Sequence, residues 1–503
     1  MSDNVQVEAS PESDGAQQLA SQGEYRFDND GFGQVQIPKD KYWGAQTQRA
    51  IAVFSISREK FPPCLIRTFA LQKTAAARAN QRLGCIDDRL TSAIVEAAAE
   101  VRDGRFDDHF PLTVWQTGSG TQTNMNANEV IANRANQIVS EAKGASTSVL
   151  GSKYPVHPND HVNRSQSSND SFPTVMNIVT MTELLDTLIP SLSVLESALN
   201  RKAVEFEYFI KIGRTHLMDA VPMTMGQSFD AFARQIGHHI DRIRNTFDRL
   251  RELPQGGTAV GSGINVPPGF DSLFCEGEMS YEKVEFVPAA SKFESMGCYD
   301  ALVDVSGVLN GLATSLLKIA TDLRFLGSGP RCGLAEIVIP RDGLTSSIMP
   351  GKRNPTLAEV MSQIAFQVMG NHTTVTVAGA AGGHFELNVA KPVIIYNVLQ
   401  SIELLTQGVE SFTRGLVEGL KVDKKVLKRN VDNSLLLVTA LNPVIGYDAV
   451  CSIVNLEMEE DLTPKEAALR LELVAEEVYD AAVNPAKMIG LVLDQEPKQT
   501  LDK

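Results

Sequence analysis

The sequence predicts a mainly α-helical protein whose centre is a bundle of long helices. The main observation is a heptad seam, in which apolar residues recur at alternating steps of three and four. Its members are Leu302, Val305, Leu309, Leu312, Leu316, Ile319, Leu323 and Leu326. The segment 174–199 repeats this pattern, and Pro190 is expected to bend its helix. Periodicity alone allows a monomeric bundle, but seams on more than one helix face favour a bundle that continues into other subunits.

The N-terminal part is also predicted to be helical. Residues 64–102 are rich in Ala, Leu and Arg at helical spacing, and residues 125–143 form a second helix rich in Ala and Asn. Ordered structure is expected from about Glu24. The first 23 residues are acidic, with no Lys or Arg and no apolar run. They resemble neither a secretory signal nor a transit peptide, and we expect a disordered cytoplasmic extension.

The composition restricts the class of protein. The 503 residues contain 46 Lys and Arg against 61 Asp and Glu, a net charge of −15. A binding surface for nucleic acid or for an anionic membrane is therefore not expected. No run of 18 uninterrupted apolar residues exists, so no membrane-spanning helix is expected. The closest cysteines, Cys64 and Cys85, are 21 residues apart, which excludes a CxxC metal site and fits a reducing compartment.

A long irregular connection is predicted over residues 327–352, which are rich in Gly and Pro and have neither helical nor strand periodicity. Such a connection is typical of a mobile active-site loop. It leads into a helix for which Asn354 is the expected N-cap and Pro355 the first helical residue. Lys352 and the helix N-terminus together could hold a carboxylate or phosphate. A nucleotide P-loop is excluded because Arg353 stands where Ser or Thr is required.

Three further polar clusters lie at predicted helix ends, at residues 118–126, 165–170 and 213–216. Each cluster alone is more typical of a turn or a capping box. His216 alone is likewise more typical of a structural histidine. Taken together, the hydroxyl and amide groups of the clusters predict a receptor for a small polyanion.

Seven segments then closely resemble those of class II fumarases, in the fumarase/aspartase lyase superfamily. They are GSGTQTNMNANEV, HPND, SQSSND, GRTHLMDAVPMT, LPQGGTAVGSGIN, SSIMPGKRNP and GGHFELNV. The resemblance runs in order over about residues 24–490. It implies an N-terminal domain (24–164), a central helix-bundle domain (165–423) and a small C-terminal domain (424–503). It also implies a homotetramer with a twenty-helix core, in which each active site takes segments from three subunits.

The resemblance implies the roles of the site residues as well. Ser346 matches the catalytic base, and His216, oriented by Glu359, activates water. Lys352 and Asn354 match groups that bind a substrate carboxylate. Further substrate-binding positions are Ser119, Gly120, Thr121, Ser167, Ser168, Asn169, Thr215, Ser347 and Arg353. His157, Pro158, Asn159 and Asp160 match a secondary dicarboxylate site, and no metal or organic cofactor is implied.

The activity implied is reversible trans addition of water to fumarate through an aci-carboxylate intermediate. Residues 341–345 and Arg353 depart from the usual fumarase pattern, so a mesaconate hydratase or an aspartate ammonia-lyase stays open. A non-catalytic scaffold is a third hypothesis. His216, where aspartases have Gln, and the SSND wording favour the fumarase.

Overall fold

The computed structural model describes residues 25–144, 150–276, 280–281, 284–344 and 346–491, so the predicted extension 1–23 lies outside them. The helices are α1 Ala45–Val53, α2 Pro63–Arg82, α3 Asp88–Arg102, α4 Thr121–Glu141, α5 Ser168–Glu183, α6 Ile189–Glu205, α7 Met225–Asn245, α8 Phe247–Leu250, α9 Phe270–Cys275, α10 Lys292–Gly297, α11 Asp300–Leu326, α12 Thr356–Ala381, α13 Lys391–Phe412, α14 Lys424–Asp432, α15 Asn442–Ile445, α16 Tyr447–Glu460, α17 Pro464–Arg470, α18 Glu476–Ala482 and α19 Pro485–Met488. The strands are β1 Tyr25–Asp30, β2 Gly33–Pro38, β3 Ile210–Thr215, β4 Met218–Thr224, β5 Glu252–Leu253, β6 Ser280–Tyr281, β7 Val284–Glu285, β8 Val287–Pro288, β9 Ile337–Val338, β10 Gly383–His384, β11 Leu387–Asn388 and β12 Lys421–Val422. The strands pair two by two: β1–β2, β3–β4, β6–β7, β10–β11 and β9–β12 are antiparallel, and β5–β8 is parallel.

One compact unit comprises the described residues of 1–181, 248–302 and 374–397. Its core forms where α2, α3 and α4 pack together, with the β1–β2 hairpin closing one side through Ile37. Alanines such as Ala70, Ala97 and Ala135 are buried at these contacts. Small side chains let the helix axes approach closely, which explains the Ala-rich composition of this part of the chain.

The second unit comprises the described residues of 182–247, 303–373 and 398–503. Here α6 packs along α7, and polar pairs join further helices. His239 on α7 lies 2.8 Å from the Ser315 hydroxyl on α11, and the Ser306 hydroxyl lies 3.1 Å from His372 on α12. Because a buried polar group must find a partner, these pairs fix which helix faces meet.

The heptad seam is buried, as predicted. Seven of its eight residues are no more than 1% exposed, and Leu326 at the end of α11 is half-buried. The stretches Ser168–Glu205 and Asp300–Leu326 are long and apolar enough to cross a membrane by length and composition alone. A buried core helix passes the same test, and the buried seam of α11 is of that kind.

Two predicted helix boundaries in the N-terminal part are corrected by local backbone geometry. The segment 64–102 is two helices, because Gly84 has a left-handed φ of 71° and Asp87 then caps α3 by accepting the Leu90 N–H. The next helix begins at Thr121 rather than at residue 125. Its start follows Gly120, whose φ of 74° ends the preceding turn.

The predicted helix over 174–199 is longer and interrupted. It begins at Ser168, passes through a π-helical turn at Leu184–Leu188 and continues as α6 to Glu205. Pro190 lies in the first turn of α6, where its missing N–H costs little. The π-helical turn therefore precedes Pro190, as expected when a helix accommodates a residue that has no N–H to donate.

The connection before α12 is irregular, as predicted, except for β9, which pairs with β12. After Lys424 the helices are short, and Val438, Leu441 and Ile453 belong to a small core of their own. This core agrees with a compact C-terminal region. The boundaries at 164 and 423 stay a prediction.

Glu457 on α16 provides a test of this C-terminal core. The residue is 2% exposed, and in the described part of the chain neither carboxylate oxygen has a hydrogen-bond partner. Burial raises its pKa from an ordinary value near 4.5 to about 7. Between these values the folded protein holds a proton that the unfolded chain releases. Stability therefore falls as pH rises through this window and stays lower above it.

We expect Glu457→Gln, which cannot ionise, to raise the free energy of unfolding at pH 8 by up to about 3 kcal/mol. Near pH 4.5 the gain should be small. Denaturant unfolding at both pH values measures this, with the exposed neighbour Glu459→Gln as the control. Equal effects of the two variants at pH 8 would contradict the burial argument.

Candidate active site

Three hydroxyl groups from two chain segments meet where α4 and α5 begin. The Ser119 hydroxyl lies 2.7 Å from that of Thr121, which in turn lies 2.7 Å from that of Ser168. The structure therefore brings together the clusters 118–126 and 165–170. Two helix N-termini and a row of hydroxyls suit the binding of an anion.

Gly118 and Gly120 allow this close approach. A Cβ on Gly118 would lie 1.3 Å from the carbonyl oxygen of Val389, and one on Gly120 would lie 2.1 Å from the ring of Phe172. Neither site can hold a side chain without a shift of the backbone. The glycines of this motif are therefore explained by packing between segments.

The carboxylate of Asp170 fixes the segments around the hydroxyls. One oxygen accepts the Ser167 N–H at 2.9 Å, and the other accepts the N–H groups of Gly256 at 3.0 Å and Thr258 at 2.9 Å. The Ser167 hydroxyl accepts the Asn169 N–H at 3.2 Å. Ser167 and Asp170 thus form a capping box, so the interpretation of this cluster as a capping box is correct. The hydroxyls of Ser119, Thr121 and Ser168 meet as well.

Two buried lysines flank Asp170. Lys73 donates to side-chain oxygens of Asn124 at 2.7 Å, Asn163 at 3.0 Å and Gln166 at 2.9 Å. Lys391 donates to the backbone carbonyl of Asn169 at 3.2 Å. Burial lowers the pKa of each lysine to about 7 against the opposing charge of Asp170. Burial likewise raises the pKa of Asp170 to about 6.

His216 lies at the tip of the β3–β4 hairpin. The strands pair up to Thr215 and Met218, so His216 and Leu217 form a two-residue turn. Their φ angles of 57° and 64° are left-handed, and such turns normally use Asn and Gly. Both residues are exposed, as is Thr215. His216 is therefore not a buried structural histidine, and its strained backbone is of the kind often found at functional sites.

Ser346 lies in the irregular connection before α12. Its hydroxyl oxygen accepts the backbone N–H of Met349 at 3.2 Å and that of Ile348 at 3.5 Å. Donors placed in this way favour a negatively charged oxygen. Ser346 is half-buried, whereas the other predicted residues of this segment are exposed: Ser347, Lys352, Arg353 and Asn354.

The predicted N-cap at Asn354 is wrong by one residue. The Glu359 N–H donates to the Pro355 carbonyl at 3.0 Å, so Pro355 occupies the N-cap position and α12 begins at Thr356. Proline has no side-chain oxygen with which to cap. The Thr356 hydroxyl instead donates to Asp342 at 2.5 Å, which ties the helix start to the preceding connection.

Two further predicted groupings stay predictions. The carboxylate of Glu359 lies 3.9 Å from the guanidinium of Arg324, and within the described part of the chain it makes no ion pair with His216. At the predicted secondary site, Pro158–Val162 form a π-helical turn, and the His157 ring nitrogen Nδ1 accepts the N–H groups of Asn159 and Asp160, each at 3.2 Å. His157 thus acts as a helix cap for Pro158–Val162.

A buried ionic cluster anchors the His216 hairpin. Glu336, which is 0% exposed, lies 2.6 Å from Arg214 and 3.5 Å from Lys211. Both cations lie on β3, beside the point between Ile212 and Arg214 where the register of the β3–β4 hairpin shifts. Glu336 also accepts the Asn430 amide at 3.3 Å, so α14 joins the cluster.

Sequence reasoning missed four charged residues: Lys73, Asp170, Lys391 and Glu336. Asp170 and Lys391 stand within or beside segments quoted for the resemblance, so proximity to those motifs was an available signal. The partners of Lys391 and Glu336 are distant in the chain, and no periodic pattern marks them.

The chain matches known protein families over most of its length. Residues 33–370 match the family described as "Lyase", and residues 437–490 match the family "Fumarase C C-terminus". These matches place the chain among the fumarase-type lyases.

Individual relatives narrow the class. "Fumarate hydratase 1, mitochondrial" of Arabidopsis thaliana is 49% identical over 468 residues, 93% of each chain. "Fumarate hydratase class II" of Rickettsia felis is 50% identical over 466 residues, 93% of this chain and 99% of that one. The crystal structure of a class II fumarase from Schistosoma mansoni has a TM-score of 0.87 and 40% identity, and covers 93% of this chain and 99% of its own. The chain belongs to the class II fumarase family, with the mainly α-helical fold of these lyases.

The Glu336 cluster gives a prediction for the hairpin. Glu336→Gln would remove the buried partner of Lys211 and leave Arg214 only the exposed carboxylate of Asp219 at 3.8 Å, which we expect to cost about 3–5 kcal/mol of unfolding free energy. Glu418→Gln removes the partner of Arg201 in an exposed pair and should cost less than about 1 kcal/mol. Denaturant unfolding of both variants measures the difference. A comparable small loss in both would show that the cluster does not hold the hairpin.

Proposed function

We propose that the chain is a fumarate hydratase, a hydro-lyase that reversibly adds water to fumarate to give malate. The observation that carries this proposal is its 49–50% identity, over 93% of the chain, to proteins named fumarate hydratase. The substrate is a small dicarboxylate. Ser346, His216 and Glu359 are the residues proposed to carry out its chemistry.

The difficult step is removal of a weakly acidic C–H proton in the dehydration direction. Ser346 is the proposed base, and the N–H groups that its oxygen accepts would stabilise it after deprotonation. The resulting carbanion is tolerable because its charge spreads onto the neighbouring carboxylate. Lys352, Asn354 and the free N–H groups at the start of α12 are proposed to stabilise that aci-carboxylate as it forms.

His216 is proposed to exchange a proton with the hydroxyl at the other carbon, on the opposite face of the substrate. In hydration it takes a proton from water, and in dehydration it delivers one to the leaving hydroxyl. Glu359 is its proposed orienting partner. Ser119, Thr121, Ser168 and Asn169 are proposed to hold a carboxylate of the substrate.

We propose a homotetramer in which each site is shared between subunits. His216 and the segment 347–354 are exposed. The bundle helix α12 also exposes Val360, Phe366 and Val377, the last two by 59% and 60%. A bundle helix with apolar side chains on its exposed face is suited to pack against another subunit.

The proposed chemistry uses protein groups alone, without a metal or organic cofactor. Among the described residues, no group of three or more His, Cys, Asp or Glu side chains could hold a metal ion. We propose no nucleic-acid or membrane partner. A cytoplasmic location also stays a proposal, because some relatives are named mitochondrial.

Arg353 leaves open an alternative substrate to fumarate. Its exposed guanidinium precedes α12, where related enzymes are expected to have an apolar residue, and it could favour an altered dicarboxylate such as mesaconate. Purified protein mixed with fumarate, mesaconate or aspartate, followed by the absorbance of the conjugated alkene, separates the hydratases, the ammonia-lyase and a non-catalytic scaffold.

Replacement of Ser346 by Ala tests the base. We expect kcat to fall by about 100-fold or more, because the group acts mainly in the transition state. KM for fumarate should change little. Steady-state kinetics measure both values, and Ser452→Ala, an exposed serine on α16, is the control. Near-normal turnover of the Ser346 variant would remove it from the mechanism.

Subunit mixing tests the shared site. We expect Ser346→Ala and His216→Asn each to be inactive, and partial activity to return when the two are refolded together. Mixed tetramers would contain some sites with both residues intact. Sedimentation of the wild type as a monomer, or no recovery in mixed tetramers identified by mass, would contradict shared sites.

A further inference from the structure

We propose that Lys391 is a positioning residue of the dicarboxylate site. Lys391 joins the segments 118–121 and 167–169 and supplies a buried positive charge beside Asn169. This inference rests on the proposed function, because it assigns a further group to the same site.

Pro173 explains why Lys391 reaches this carbonyl. In an α-helix, the carbonyl of residue i accepts the N–H of residue i+4, and proline has none. Helix α5 begins at Ser168 and contains Pro173. The Asn169 carbonyl therefore lacks its i+4 donor, and the Lys391 ammonium donates to it at 3.2 Å.

Lys391 also binds the other segment through its backbone. Its N–H donates to the Gly118 carbonyl at 3.0 Å, where Gly118 lies against Val389 with no room for a Cβ. One residue at the start of α13 thus contacts both segments that carry the hydroxyls of Ser119 and Ser168. A shift of Lys391 would move the two segments relative to each other.

The Asn169 carbonyl needs a hydrogen-bond donor but does not need the positive charge of Lys391. A neutral amide or hydroxyl would satisfy one carbonyl, whereas a buried ammonium is costly unless negative charge lies near. Lys73 uses three hydrogen bonds for its three N–H groups. In the described part of the chain, the Lys391 ammonium makes only the bond to Asn169. Asp170 provides one nearby negative charge, and a bound dicarboxylate would provide the other.

The test separates charge from hydrogen bonding with three variants of the full-length protein. Lys391→Gln keeps a donor without charge, Lys391→Arg keeps the charge, and Lys391→Met removes both. The matched control is Lys202→Met, since Lys202 is 8% exposed and also donates to a backbone carbonyl, that of Leu420, at 2.9 Å. Succinate, a dicarboxylate that cannot react, is titrated by calorimetry, and fumarate kinetics are measured in parallel.

We expect succinate affinity to fall about tenfold in the Gln and Met variants, with a similar rise in KM and a smaller change in kcat, as for loss of one charged contact. The Arg variant and the Lys202 control should stay within about threefold of the wild type. Thermal unfolding establishes that each variant is folded. If the Met variant does not fold, the Gln and Arg variants decide.

The outcomes distinguish this inference from the proposed function. Wild-type succinate affinity in the Gln variant would show that Lys391 only satisfies a carbonyl, and would overturn the inference while fumarate hydration stands. A wild type that binds succinate in a Lys391-dependent way but hydrates no fumarate would overturn the function and leave the role of Lys391 intact.

Discussion

The buried carboxylate of Asp170 is the interaction on which the candidate carboxylate site depends. Removal of a carboxylate from water costs several kcal/mol unless hydrogen bonds and opposite charges replace the water. Asp170 accepts three backbone N–H groups, from its own cap and from the glycine-rich loop, and lies in the field of Lys73 and Lys391. Because the donors are backbone groups, the loop contributes by its shape. This explains a motif, LPQGGTAVGSGIN, that carries little side-chain chemistry of its own.

Much of the fold was predictable because it follows from local rules. The seam of α11 has a period that only a helix satisfies, and it is buried. Ser167 caps α5 as its residue type suggests. The wrong boundaries come from backbone geometry that composition does not reveal. Gly120 starts α4 early through a left-handed φ, and Pro355 displaces Asn354 from the N-cap position because its carbonyl accepts the Glu359 N–H.

The candidate site was predictable only in part. The clusters 118–126 and 165–170 meet because each stands at a helix start, a feature that the sequence displays, whereas 213–216 lies in the β3–β4 hairpin and not at the predicted helix end. The charged residues behind them were missed, because their partners are far away in the chain. Lys391 is 222 residues from Asn169, and Glu336 is 122 residues from Arg214. No period or motif encodes such a pair. A charged residue beside a polar motif, as Lys391 is beside FELNV, is the feature of the sequence that could indicate such a site residue.

The bulge in the His216 hairpin restricts the number of residues in the hairpin more strongly than it restricts their types. Between the pairs Ile212–Pro222 and Arg214–Asp219, strand β4 contributes one residue more than β3, which carries Lys211 and Arg214. Deletion of Ala220 or Val221 would remove the extra residue and the bend that it gives the strand, and would re-aim the turn that carries His216. Among natural variants and in protein engineering, insertions and deletions should therefore be accepted in other surface loops rather than in this hairpin, whose tip carries His216 of the proposed site.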